Sequence, residues 1–392
     1  MLGDPFLASL RRHRLLTGLV VLQAALTAVV LTLALSKLGQ WQARIWRPSG
    51  LDEARLARLL VRGPQDATAQ RRELAALAQI PGIAGVSPIN QLPFGSEYWS
   101  SDFGRKPRNT GGVVRAAVYF GDPGLRERLG LALREGRDFL PGDFGDLRGN
   151  GGPPRVLLDA TLAKQMFPGE DAVGRMIYQG QQPIQVIGVY APLQAPTPDG
   201  AASLIAAKRI PPAASTSYVL QLRDARLPSA AAVAAALHQA SPARWILDYR
   251  SVAQLRDGYF RPQRWLCTGL LLGLALWLAG TGVGLANLAD LMLQSRLRAV
   301  GLCRALGARS GQIRWQLRRE NAVLAAGGAL IGLALLQLLL HVWPGLAQQL
   351  GMIPPTMQVL SLALVVVTGQ CALWPIVHAV DGASPAALLR HA

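Results

Sequence analysis

Four lysines could each close a nucleotide-binding loop: Lys37, Lys106, Lys164 and Lys208. A GxxxxGK[ST] loop cradles phosphates with its amides and needs lysine directly after glycine. None of the four follows a glycine. ATP hydrolysis is therefore not expected from this chain, and any motor is expected on a separate polypeptide. His13, His238, His341, His378 and His391 are scattered, with no HExxH frame, and no GxSxG marks a nucleophile elbow. Cys267, Cys303 and Cys371 form neither a CxxC pair nor a zinc spacing. No catalytic residue, metal or cofactor is expected.

The residues that do cluster are cations. SRLRAVGLCRALGARSGQIRWQLRREN, from Ser295 to Asn321, carries Arg296, Arg298, Arg304, Arg309, Arg314, Arg318 and Arg319 against the single acid Glu320. The chain as a whole has a formal net charge of +17. Such charge can recruit nucleic acid, anionic lipid or an acidic partner. The flanks decide between them, because both are long and uncharged.

Leu15–Ser36 and Trp265–Ala289 contain no Asp, Glu, Lys or Arg, nor does the tract from Asn321 to Val380, which HVWPGLAQQLGMIPPT interrupts with turn-forming Pro and Gly. An apolar helix of about 20 residues crosses a hydrocarbon core of about 30 Å. The expected organisation is a cytoplasmic segment and first span over 1–36, an outer domain over 37–264, and spans at 265–289, 321–341 and 357–380. A loop at 290–320, a short outer loop at 342–356 and a tail at 381–392 complete it. Arg11, Arg12 and Arg14, the arginine cluster and Arg390 then share one side. Cations of short loops stay cytoplasmic, so both termini are expected inside and 37–264 outside. The apolar run exceeds a usual signal-peptide core, so the first span is expected to be retained. Trp41, Trp265 and Trp343 fall near the outer surface and Trp315 and Trp374 near the inner one, with Trp277 in mid-span. A cation cluster pinned between spans does not suit nucleic acid; contact with anionic lipid is its plainest role.

The outer domain reads as α+β. ATAQRRELAALAQI has apolar residues Leu74, Leu77 and Ala78 at helical spacing and stops at Pro81-Gly82. IAGVSPIN, SYVLQLR and ARWILDY read as strands, and SAAAVAAALHQA as a helix capped by Ser229. These two flanking halves are expected to pair into one layer with helices on one face. RLARLLVRG is open between helix and strand. Further along, Val156–Leu158 reads as a strand and Asp159 as the cap of a helix over 160–167. Two paired strands surround Gln179-Gly180-Gln181. Ala191–Pro212, rich in Pro and Ala, reads as a mobile surface loop. With no cysteine in the outer domain, its own core has to hold it.

LREGRDFLPGDF (Leu133–Phe144) with LLDATLAKQMFPGEDAVGRMI (Leu157–Ile177) resembles the periplasmic core domain of MacB-like ABC transporter permeases. VGLCRALGARSGQIRWQLRREN followed by Gly327, Gly328 and Gly332 resembles the permease region of FtsX-like proteins. The resemblance implies a membrane protein with four transmembrane α-helices and a large α+β periplasmic domain. That domain would combine a porter-like part with an inserted subdomain near 120–210. It implies an inner-membrane permease subunit that passes ATP-driven motion of a separate ABC ATP-binding subunit to the periplasmic domain. The cargo would be a peptide, a lipid-linked molecule or an amphiphile, for export or extraction. The alternative is an FtsX-like signalling permease that gates a cell-wall hydrolase and moves no cargo. The implied ATPase contact is Arg296, Arg298, Gly301, Arg304, Ala305, Leu306, Gly307, Ala308 and Arg309. Ala299 and Cys303 stand where the family pattern carries an acid and an arginine, which suggests pairing with a non-identical permease carrying the fuller motif. A second permease copy or paralogue, and an outer partner such as a periplasmic adaptor, are the other implied contacts.

From the residues alone, a helix over Asp290–Leu306, a stop at Gly307 and a cap at Ser310 would make a stiff elbow. Gly269 with Gly273, Gly280 with Gly284, and Gly328 with Gly332 have GxxxG spacing. That spacing fits close packing inside one subunit or a dimer face equally well.

Overall fold

The structure, a computed structural model, describes residues 14–95, 97–109, 112–144, 154–194, 202–294 and 310–382. In chain order the elements are α1 (Arg14–Trp46), β1 (Leu56–Arg62), α2 (Ala67–Ala78), β2 (Ile83–Ile89), β3 (Ser100–Gly104), β4 (Val113–Phe120), α3 (Leu125–Arg128) and β5 (Leu133–Gly136). Then come β6 (Arg155–Asp159), α4 (Ala160–Met166), β7 (Met176–Gln179), β8 (Gln182–Tyr190), β9 (Ser203–Ala206), β10 (Ser215–Leu222), α5 (Ala230–Ala240) and β11 (Trp245–Ser251). The chain ends in α6 (Val252–Gln294), α7 (Ser310–Val342), α8 (Pro344–Leu350) and α9 (Pro355–Gly382). Trp46–Pro262 forms one compact unit and the chain on either side of it forms the other.

In the first unit, β11, β1, β10 and β2 lie side by side in that order, all antiparallel. Strand, helix, strand on each side of the insertion gives the ferredoxin-like arrangement. Ala57, Leu59 and Val61 alternate towards the core with Tyr218, Leu220 and Leu222, beneath Leu77, Val233 and Leu237 of the two helices. The alternation explains why RLARLLVRG is a strand: Arg58, on the opposite face, ion-pairs with Asp248 of β11. The buried stripe of α2 is Ala69, Glu73 and Leu77, while Ala78 is exposed. Glu73 is tolerated there because Arg244 lies 3.3 Å away, with both side chains 0% exposed. Tyr218 Oη donates to Glu73 Oε2 at 2.6 Å, and Gln65 Nε2 donates to it at 2.8 Å.

Between β2 and β10 a second sheet is inserted. Its order among the described residues is β5-β8-β6-β9-β4-β3-β7, and β7 also pairs with β8, so the pairing closes on itself. It encloses Phe103, Ala116, Val156, Leu158, Ile177 and Val186 with Leu162 and Met166 of α4. This sheet begins at Ser100, upstream of the expected 120. Within the stretch read as a mobile surface loop, Ser203–Ala206 is instead a buried strand between β4 and β6. Four residues are too few to show a period, and their burial comes from partners distant in sequence.

The LREGRDF motif has a structural explanation. Gly136 has φ +75°, and a Cβ there would stand 2.7 Å from Gly188 Cα on β8, so neither position has room for a side chain. Arg137 grips Asp143 with two hydrogen bonds, 2.6 and 3.1 Å, and Arg155 joins them. The Arg137 hydrogen bond holds the Asp143 carboxyl down at about 2.

Asp159 behaves in the opposite way. It caps α4 by accepting from Leu162 N–H, accepts from Ser203 Oγ at 3.4 Å, and is fully buried. Burial pushes its carboxyl up to about 7 against those hydrogen bonds. An unfolded aspartate titrates near about 3.9. Between that value and about 7 the folded state keeps a proton that the unfolded state releases, so stability falls as pH rises through the window and is flat above it. Asp159→Asn keeps the cap acceptor without the charge. The expected outcome is that this decline disappears, read as thermal midpoints of wild type and variant between about pH 4 and pH 8.

In the second unit, four described helices are long and apolar enough to cross a membrane. They extend past the charge-free runs: α1 reaches Trp46, and α6 begins at Val252, with Pro262 inside it. Proline has no N–H, so one helical bond of α6, to the Gly258 carbonyl, is missing. The interruption around 341–356 holds the short helix α8. Lys37 Nζ and Gln40 Nε2 of α1 donate to the carbonyls of Gln349 and Leu350 at its C-terminal end, each at 3.1 Å.

Candidate coupling site

Arg296, Arg298, Gly301, Arg304, Ala305, Leu306, Gly307, Ala308 and Arg309 lie outside the described residues, as does most of the proposed elbow. The structure shows the two helices that deliver them, α6 up to Gln294 and α7 from Ser310. The first half of α7 is fastened to α9. Asn321 Nδ2 donates to Gly369 O at 2.9 Å, and Gln370 Nε2 donates to Arg318 O at 3.0 Å. The Arg318 guanidinium sits 5.4 Å from the Trp374 ring centre, and that of Arg319 5.2 Å from Trp315. A push delivered just before Ser310 would therefore reach α7 and α9 as a pair.

Helix α1 is the centre of this unit, with Ala24, Ala28 and Leu31 buried against Ala325, Ala329 and Val365. It meets α6 where Thr27 and Thr281 hydroxyls pair at 3.3 Å, and α9 where Thr32 and Ser361 hydroxyls pair at 2.7 Å. It meets α7 at the glycines: a Cβ on Gly328 would stand 2.8 Å from Ala24 Cβ, and one on Gly332 2.8 Å from Ala25 Cα. Gly284 faces the Gln23 amide, whereas a Cβ on Gly280 would have nothing within 4 Å. Gly280 borders an open groove between α1 and α6, together with Leu22, Leu26, Leu276 and Trp277. Gly328 and Gly332 thus pack within one chain, and Gly280 lies on a free face. Sequence reasoning missed Asn321 and Gln370. Their signal is an amide inside an uncharged tract, which must find a partner where water is absent.

The model of the MacB-like periplasmic core domain matches residues 17–241, and that of the FtsX-like permease C-terminal region matches residues 271–380. The pyoverdine export ATP-binding/permease protein PvdT of Pseudomonas aeruginosa is 28% identical over 280 residues, covering 67% of this chain and 39% of PvdT. The uncharacterized ABC transporter permease YknZ of Bacillus subtilis is 26% identical over 269 residues, covering 65% of this chain and 64% of YknZ. The chain thus spans less than two thirds of these relatives' lengths. The crystal structure of the periplasmic region of MacB from Actinobacillus actinomycetemcomitans aligns at 16% identity and a TM-score of 0.34, covering 55% of this chain and 96% of that one. Both modules of the family are present in their order, joined to four membrane-capable helices, and the chain belongs to the MacB-like, FtsX-like permeases of ABC transporters.

Proposed function

We propose that this permease carries motion, not solute, through its membrane helices. A separate ABC ATP-binding subunit docks on the segment from Arg296 to Arg309, and its closure upon ATP moves the helices that flank this segment. The periplasmic core then acts on cargo outside the membrane. The observation that carries the reading is α6: 43 residues of helix run from the end of β11 to Gln294. At 1.5 Å per residue that is about 65 Å, roughly twice a hydrocarbon core. The helix therefore has length to spare on top of its membrane crossing. The described membrane segments hold few ionisable groups, which does not suit an ion or proton path.

Both termini are proposed to be cytoplasmic, with residues 37–264 in the periplasm. The protein works as a dimer with a second copy or a paralogue. PvdT's name as an export protein supports export as the direction of action; the cargo proposed is a peptide, a lipid-linked molecule or an amphiphile. A cysteine placed at Arg304 should crosslink to the ATP-binding subunit, with a yield that differs between nucleotide-free and ATP-bound states. Absence of any crosslink in both states would remove the docking site.

A further inference from the structure

We propose that Arg256 is the joint that couples the two membrane-connected ends of the core domain to its inserted sheet. The inference rests on the motion-transmitting reading above and names the residue through which the motion would pass. Arg256 lies in the first turns of α6. Its Nη1 meets Glu53 Oε1 at 2.5 Å, and its Nη2 donates to Arg47 O at 2.5 Å. Arg47 and Glu53 belong to the short segment that leaves α1. Nη2 also reaches Gln194 Oε1 at 3.5 Å. Gln194 follows β8 in the insertion, and its N–H donates to Ser49 O at 2.8 Å. The faces of Phe94 and Phe260 lie 5.6 and 5.9 Å from the guanidinium carbon.

One guanidinium thus meets four stretches of chain: the exit from α1, the start of α6, the loop after β2 and the loop after β8. Arginine suits this place because its planar fork points donors in several fixed directions, while lysine offers a single point charge. Two backbone features show that the junction is tightly built. Phe94, 4% exposed, has φ +65°, a left-handed conformation that a bulky side chain adopts only when its surroundings impose it. Its ring packs at 5.8 Å against both Tyr259 and Phe260 of α6. Gly50, at φ +83°, lets the exit segment lie directly against the Pro192 carbonyl, where a Cβ would collide. A shift of either membrane-connected end would therefore press on 92–95 and 192–194 through Arg256.

The test uses the full chain with its ABC ATP-binding subunit in lipid nanodiscs, either nucleotide-free or trapped with ATP and vanadate. Hydrogen exchange is followed on peptides covering 92–95 and 192–194. Wild type should show a nucleotide-dependent change there. Arg256→Lys keeps the charge but cannot reach every acceptor, and Glu53→Gln removes the ion pair with little change of shape. Loss of the change in either variant, with ATP hydrolysis retained, supports the joint; a purely structural role would leave the nucleotide response intact. A wild-type response in both variants would overturn the inference and leave the motion-transmitting reading standing. So would loss of ATP hydrolysis together with the response, since that is general damage. No response in wild type itself would overturn both. If Arg256→Lys fails to fold, Glu53→Gln alone decides.

Discussion

Gly332→Leu should separate α1 from α7 and undo the closest helix packing of the membrane unit. The atoms a side chain would strike are backbone: Ala25 Cα at 2.8 Å from a Cβ at 332, and Val21 O at 2.6 Å from one at 328. Backbone cannot rotate aside as a flexible side chain can, so the helices have to move apart. Ala24, Ala28, Ala325 and Ala329, all fully buried between them, would then be pulled out of van der Waals range. Overpacking a well-filled core costs about 1–3 kcal/mol, and the upper part of that range is expected here. Gly327 supplies the control, because a Cβ there would have nothing within 4 Å. Gly327→Leu should match wild type or gain slightly from helix propensity. Thermal unfolding midpoints and size-exclusion profiles in mild detergent separate the outcomes. Equal behaviour of the two variants would contradict the packing.

Removing one member of the buried ion pair in the ferredoxin-like part should have the largest effect on the periplasmic unit. Arg244→Met leaves the buried Glu73 carboxyl without its ion partner, with Tyr218 and Gln65 as its remaining donors. Arg244 also donates to the carbonyls of Val61 and Ala213, each at 3.3 Å, so the change removes two further hydrogen bonds as well. Breaking a buried pair from one side costs about 3–5 kcal/mol. That is a large share of the roughly 5–15 kcal/mol that holds a domain together. Hydrogen exchange across Leu56–Arg62 and Ser215–Leu222 should accelerate strongly. Glu73→Gln together with Arg244→Met removes the stranded charge but keeps an acceptor for Tyr218, and should recover a good part of the stability. A double variant no better than Arg244→Met alone would show that the cost lies in packing.

Much of this architecture can be read from short-range chemistry. Asp159 and Ser229 are readable as helix caps because a side-chain acceptor sits next to free N–H groups, and both make that bond. The four flanking strands are readable, or narrowed to two choices, by alternation. The reading fails where a partner far along the chain decides. Glu73 sits on the buried side of its helix, where an acid alone would be forbidden; only Arg244 makes it possible. Ser203–Ala206 is a strand because β4 and β6 flank it, and nothing in Ser-Leu-Ile-Ala announces that. Arg256 carries no local signal, since the groups it joins come from segments up to 209 positions apart. The arginine-rich segment is legible as charge between spans and by family resemblance.

The inserted sheet leaves and re-enters its host between two strands that touch. Ile89, at the end of β2, stands opposite Ser217 near the start of β10. The cut ends are therefore a single strand spacing apart, about 4.8 Å, a gap that a tight hairpin of two to five residues closes. The host layer would keep its pairing if the whole insert were excised or exchanged. The insert is in this sense a cartridge: the strand pairing of its host does not depend on what it carries.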